Sequence, residues 1–168
     1  PFSKIGNALW VQFQQGLNTG ELASFTVFYH GTPITDASNW GGYYNTGGYT
    51  FNLGVGFTAD PHSFGRAWFP CFDNFVERCA FEVNITSPLG KPGYSNGVLI
   101  SEEILGNSII RSWSLDDPIP SYLTCFASGP YTSFKRVYPG ENGPIPLEIA
   151  AAPADTNKVR NSFINLQK

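Results

Sequence analysis

Apolar and polar side chains alternate in short runs along most of this chain. Leu9, Val11 and Phe13 stand against Trp10, Gln12 and Gln14, and Phe25, Val27 and Tyr29 against Thr26, Phe28 and His30. The cleanest run sets Phe81, Val83 and Ile85 against Ala80, Glu82, Asn84 and Thr86. Successive side chains of a strand point to opposite faces, so each run offers one face to a core. The same reasoning predicts strands at residues 49–57, 66–69, 97–100, 108–115, 122–128, 132–137 and 145–151. Gly and Pro punctuate the runs at 16–20, 41–42, 47–48, 90–93 and 139–143. Many short strands with regular turn signals predict an all-β domain of the β-sandwich or barrel kind.

Helical spacing enters only at the end. Asp155 is placed to cap a helix by accepting a backbone N–H, and Val159, Phe163 and Leu166 follow near a 3.6-residue period. No stop signal precedes Lys168, so these turns read as the start of something that continues. The expected division is a β domain over 1–153 and a linker helix, or the opening of a following domain, over 154–168. The chain begins at Pro1 and contains no Met, which fits an excised or processed segment. The 18 Gly and 13 Pro are scattered, and no linker or repeat divides the rest.

Composition narrows the functions. A length of 168 residues suits one domain, and 42% hydrophobic with 15% aromatic residues suffices for a core. Charged residues are only 14%, against about 25% in typical domains, which hints at surface covered by a partner. A net charge of −3 without any basic run argues against nucleic acid, whose phosphates demand a clustered basic face. No stretch approaches the roughly 20 apolar residues that span a bilayer.

The usual catalytic constellations are missing. His30 and His62 are the only histidines and lie far apart, whereas a catalytic zinc takes three protein ligands. No Gly-x-Ser-x-Gly elbow supports a serine triad, and no glycine-rich turn leads from a strand into a helix to cradle phosphate. The pairs Glu102-Glu103 and Asp116-Asp117 read as turn residues in water, and Asn84-Ile85-Thr86 matches a glycosylation acceptor inside a strand. Cys71, Cys79 and Cys125 cannot all pair; they read as three small buried side chains, with one disulfide plus a free thiol as the alternative, or with Cys71 and His62 as a nucleophile pair.

One stretch is not generic. Gly65-Arg66-Ala67-Trp68-Phe69-Pro70-Cys71-Phe72-Asp73 packs Trp, two Phe, Cys and Pro around one Arg and one Asp. Such a run is expected to bury, and a charge drawn in with it needs a partner. The segment resembles the Arg-x-x-Phe-Pro-Cys-Phe-Asp motif in the N-terminal domain of the aminopeptidase N family, the gluzincin zinc metallopeptidases. Four other landmarks agree in order: a hairpin of 9–13 with 21–31 ending in Phe28-Tyr29-His30-Gly31, the strand 79–86 followed by Pro88, the turn Tyr94-Ser95-Asn96-Gly97, and Pro120-Ser121-Tyr122-Leu123.

The resemblance implies a saddle-like, multi-sheet β domain packed over a thermolysin-like catalytic domain. That partner domain would supply the His-Glu-x-x-His zinc site and the Gly-x-Met-Glu-Asn substrate motif, neither of which this chain contains. It implies zinc in the catalytic domain only, a peptide substrate, no catalytic residue or metal here, and a structural role for Arg66, Phe69, Pro70, Cys71, Phe72 and Asp73. Family members hold the substrate's free amine with a Gln or Glu shortly before the motif Arg. The nearest carboxylate here is Asp60, one residue further out than the pattern, and a carboxylate facing an ammonium makes a directional, charge-assisted bond. The plainer reading is that Asp60 initiates an Asp-Pro turn. After Asp73 the usual Glu-Pro is replaced by Asn74-Phe75, which marks a divergent branch. The alternative function is a carbohydrate-binding or adhesive module, with Trp40, Tyr43, Tyr44 and Tyr49 as a stacking platform. A ligand-free assembly domain is a third.

Overall fold

The computed structural model describes residues 1–163. Among them eleven strands form four antiparallel sheets, and one short α-helix follows the last strand. The domain is therefore all-β and multi-sheet, as the alternation predicts.

The larger sheet joins β3 (Gly41–Thr46), β4 (Tyr49–Gly56), β9 (Phe126–Ser128) and β6 (Gly93–Ser95) in that order. The second sheet joins β5 (Arg78–Pro88), β8 (Ser108–Pro120) and β7 (Val98–Leu105). In β5, Phe81, Val83, Ile85 and Ser87 turn inward while Ala80, Glu82, Asn84 and Thr86 face solvent, so one face of the strand feeds the core.

The two sheets meet at Gly93. A Cβ there would lie 2.3 Å from Ile85 Cγ2, so the backbone of β6 rests directly on the inner face of β5. The buried Trp113 opposite Val83 donates its Nε1–H to Gly93 O at 3.2 Å. Only glycine permits that approach.

Two hairpins flank the sheets. β1 (Phe2–Ile5) pairs with β2 (Ala8–Val11), and β10 (Thr132–Gly140) pairs with β11 (Gly143–Ala151). A 3₁₀ turn at Pro153–Asp155 leads into α1 (Thr156–Ser162). The Arg160 guanidinium lies 5.3 Å from the Phe134 ring centre and seats the helix on β10.

Several expectations fail, each for a local reason. Residues 21–31 take no regular structure, and 9–13 do not pair with them. The Gly6-Asn7 turn folds β2 back onto β1 instead, leaving Phe28 94% exposed. Residues 66–69 are not a strand; Gly65–Ala67 winds into a 3₁₀ turn. Residues 122–128 divide into a 3₁₀ turn at Ser121–Leu123 and the short β9. Glu102-Glu103 and Asp116-Asp117 are exposed strand residues in β7 and β8 rather than turns, and Glu102 takes a hydrogen bond from Arg111 Nε at 2.6 Å across the ladder. Asp155 occupies the N-cap without accepting a backbone N–H, because as the end of the 3₁₀ turn its backbone is already helical (φ −104, ψ −3) rather than extended, and its carboxylate takes Lys158 Nζ at 2.8 Å instead. Phe163 is half exposed just past α1, and Leu166 lies outside the described residues.

Candidate functional site

The motif begins where β4 ends. Val55 bridges Ser63, Gly56 N–H donates to His62 O at 3.0 Å, and Phe64 N–H donates to Gly54 O at 2.7 Å. Residues 57–61 leave this clasp as a loop. Gly54 sets the depth of the strand: a Cβ there would fall 1.5 Å from Tyr122 O. Ala59 turns in from the loop to form a buried cluster with Phe64 and Ala67.

The chain past the clasp closes into a ring around Asp73. Its Oδ1 accepts the Gly65 N–H at 2.9 Å, and its Oδ2 accepts Arg66 Nη1 and, at 3.4 Å, the Arg66 N–H. Arg66 Nη1 also donates to Ser63 O at 2.6 Å, and the wholly buried Ser63 donates its hydroxyl to Asp73 O at 3.0 Å. These bonds wind Gly65–Ala67 into a 3₁₀ turn where alternation predicts a strand. Gly65 makes room, since a Cβ there would sit 3.0 Å from Cys71 Sγ. The Arg66 guanidinium covers the Phe64 ring at 4.9 Å. Two charges thus face inward as a pair, as the burial argument requires.

The rest of the motif divides between core and surface. Trp68 and Phe69 pack ring to ring at 4.4 Å, and Trp68 reaches Phe126 at 6.1 Å. Pro70 is exposed and Phe72 is 75% exposed, so the run does not bury throughout. Phe75 and Val76 continue that apolar surface at 47% and 79% exposure.

All three cysteines are free thiols. Cys71 and Cys125 are half-buried, but Cys79 is exposed at the start of β5, against the expectation of three buried side chains. Burial foremost, then the Asp73 carboxylate, pushes the Cys71 thiol up to about 12, so the thiolate a Cys71–His62 nucleophile needs is suppressed.

Asp60 is exposed, in the loop and ahead of Pro61. None of the ion pairs among the described residues involves it. His62 Nδ1 lies 3.1 Å from Gly56 O, and His30 is exposed elsewhere. Among the described residues no group of three or more His, Cys, Asp or Glu is placed to hold a metal. No helix of the described residues is long and apolar enough to cross a membrane.

A buried carboxylate escaped the sequence reading. Asp36 is 4% exposed, and its Oδ2 accepts from Ser38 N–H at 3.0 Å, Ser38 Oγ at 2.5 Å, Thr58 N–H at 3.1 Å and Thr58 Oγ1 at 2.8 Å. The Ser38 hydroxyl above all, with Thr58, holds this carboxyl far below the usual range. An Asp followed two residues on by Ser is the signal of a local side-chain turn.

The proposed stacking platform is dispersed. Trp40 is 46% exposed against Phe57 at 4.6 Å. Tyr43, Tyr44 and Tyr49 are half-buried beside Phe126, Phe51 and Tyr131 respectively. The Ser95-Asn96 turn closes on β9 instead of solvent: Asn96 Oδ1 accepts the Cys125 N–H at 2.5 Å, and Ser95 Oγ donates to Cys125 O at 2.7 Å.

The fold and the closed Arg66–Asp73 ring define a multi-sheet β domain built around a proline-containing turn. Residues 3–123 match the sequence profile of the peptidase M1 N-terminal domain, and the chain belongs to that family. Curated relatives include human glutamyl aminopeptidase, 32% identical over 89 residues, and leucine aminopeptidase 2 of Candida glabrata, 38% identical over 68 residues. These alignments cover 52% and 40% of this chain but only 9% and 10% of those proteins. Among solved structures, the chain is similar in fold to an M1 zinc metallopeptidase of Deinococcus radiodurans bound to a Tyr-Ser-Ala substrate. The TM-score is 0.62 at 20% identity, covering 73% of this chain and 28% of that one. Legionella pneumophila aminopeptidase A, in complex with aspartic acid, gives a TM-score of 0.58 at 23% identity over 76% of this chain and 14% of that one.

Proposed function

We propose that this chain serves as the non-catalytic N-terminal domain of a zinc metallo-aminopeptidase, with residues 1–153 as the β domain and 154–168 leading toward the catalytic domain. In this reading residues 57–73 wall the substrate cleft, and Asp60 holds the free amine of a peptide. Zinc and the hydrolytic groups belong to the catalytic domain.

The observation that carries the reading is Asp60 itself. It is an exposed carboxylate without an ionic partner among the described residues, on a loop clasped at both ends and seated on the buried motif. An exposed carboxylate presented from a clasped loop suits an ammonium ion. The exposed Phe72, Phe75 and Val76 beside the motif support a second domain as neighbour, since a sizeable bare apolar patch marks an interaction surface.

The test uses the longer protein with its catalytic domain. Replacing Asp60 by Ala is expected to raise KM for peptides with a free N-terminus roughly 10- to 100-fold, the worth of about 1.5–3 kcal/mol for a hydrogen bond to a charged group. Weak turnover of N-acetylated peptides should be unaffected. Unchanged KM for free-amine substrates would exclude Asp60 as the anchor.

A further inference from the structure

We propose that Asp36 is the positioning residue for the loop that presents Asp60, an assignment that rests on the amine-anchor reading above. The loop of residues 57–61 leaves one clasp and returns to it. Gly56 N–H and His62 O close its base at 3.0 Å, and Val55 bridges Ser63 just outside. Among the described residues, the hydrogen bonds that reach into the loop itself are the two that Thr58 gives to Asp36.

Those two bonds are a chelate. The Thr58 N–H and hydroxyl both end on Asp36 Oδ2, at 3.1 and 2.8 Å. One acceptor holding the main chain and the side chain of a single residue fixes that residue's backbone and its χ1 together. The carboxylate also lies flat on the strand end: a Cβ added to Gly56 would be 2.6 Å from Asp36 Oδ1 and 3.1 Å from the Ala59 Cβ. Ala59 is 8% exposed. Thr58 is therefore held by hydrogen bonds and Ala59 by packing, and the next residue, Asp60, is turned outward.

Asp36 is itself braced. Its N–H donates to Gly41 O at 3.0 Å, its carbonyl accepts the Asn39 N–H at 2.8 Å, and Ser38 supplies two further donors to Oδ2. The clamp thus ties the turn that enters β3 to the loop that leaves β4. Asp36 touches no reacting group; it acts through Thr58 and Ala59 on the position of Asp60.

Two measurements test this. In the longer protein, Asp36→Ala and Thr58→Val are expected to raise KM for free-amine peptides about 10-fold, the worth of one such bond, with kcat little changed. Thr58→Ser, which keeps the hydroxyl, should restore KM to within about twofold. Combining Asp36→Ala with Asp60→Ala should be no worse than Asp60→Ala alone, because residues acting through one contact are not additive. Thr58→Val leaves Asp36 bonded to Ser38 and serves where Asp36→Ala fails to fold. In the present chain, Thr58→Val should speed amide exchange at Thr58, whose N–H ends on Asp36 Oδ2, while β5 and β8 keep their protection. Unaltered exchange there, or an unchanged KM in both variants where Asp60→Ala raises it, overturns the positioning role and leaves the anchor intact. An unchanged KM in Asp60→Ala overturns the anchor reading, and the positioning role with it.

Discussion

Arg66 turns back across its own 3₁₀ turn to bond Asp73, and the two residues enclose the Phe-Pro-Cys-Phe stretch between them. The Asp73 side chain is 8% exposed and that of Arg66 27%. Removing one member of such a pair strands the other, and for Asp73 it also strands the Gly65 N–H. Asp73→Ala is expected to destabilise the domain by about 3 kcal/mol. Asp73→Asn keeps an acceptor for Gly65 and should cost roughly half as much. Urea unfolding followed by tryptophan fluorescence measures both, and equal losses would mean that the charge, rather than the acceptor, is what matters.

The thiols should separate by accessibility. Cys79 is exposed, whereas Cys71 is half-buried with its thiol pushed up to about 12, and burial also raises that of Cys125. Iodoacetamide at neutral pH should label Cys79 first, and the other two only after denaturation, as peptide mass mapping would show. A raised thiol pKa stabilises the fold below the unfolded value and is lost as pH rises through the folded one. Cys71 therefore contributes fully below about pH 8.5 and loses that contribution as the pH climbs toward 12. Cys71→Ala should flatten the alkaline limb of the stability curve.

Asp36 works in the opposite direction. Its folded-state pKa lies below the unfolded one, so its contribution is complete above the ordinary Asp value of about 3.9 and is lost as pH falls from there through the depressed value. The wild-type chain should lose stability on acidification below pH 4 more steeply than Asp36→Asn. Thermal melts across that range would read the difference, and parallel curves would contradict it.

Gly54 is required by space, not by backbone angle. Its Cβ position is occupied by the Tyr122 carbonyl, so even Ala must push β4 away from the Ser121–Leu123 turn. A loss of about 3 kcal/mol is expected for Gly54→Ala. Gly16→Ala, where a Cβ would meet nothing within 4 Å, is the matched control and should melt like wild type.

The strands were legible where one face is buried and the other wet. From Ala80 to Pro88, past a register shift at its start, β5 alternates without a break, so its period identifies it and its inward set. The hairpin turns at 47–48 and 139–143 were legible as Gly and Pro punctuation, and Gly6 and Gly106, each with φ +59 and leading a two-residue turn with Asn, carry the same chemistry that folds a strand back on its neighbour. Residues 25–29 alternate just as well yet join no sheet among the described residues, because period records a capacity to bury and not the presence of a partner strand. The 3₁₀ turn at Gly65–Ala67 was hidden because its cause lies in the Asp73 side chain, outside the window that defines a strand. Asp60 entered as a candidate through the resemblance, from its place shortly before the motif Arg. The Asp36–Ser38 turn carries a local signal, but the bond from Asp36 to Thr58 does not, because Thr58 lies 22 positions away.

Asn52 donates to Thr124 O at 3.2 Å and accepts the Phe126 N–H at 2.6 Å, joining residues 72 and 74 positions apart. Strand β4 therefore leaves the ribosome well before its neighbour β9 exists. Until then it has only β3 on one side and an open edge on the other, and open edges invite pairing with other chains. At roughly 5–20 residues per second, that edge waits several seconds during synthesis.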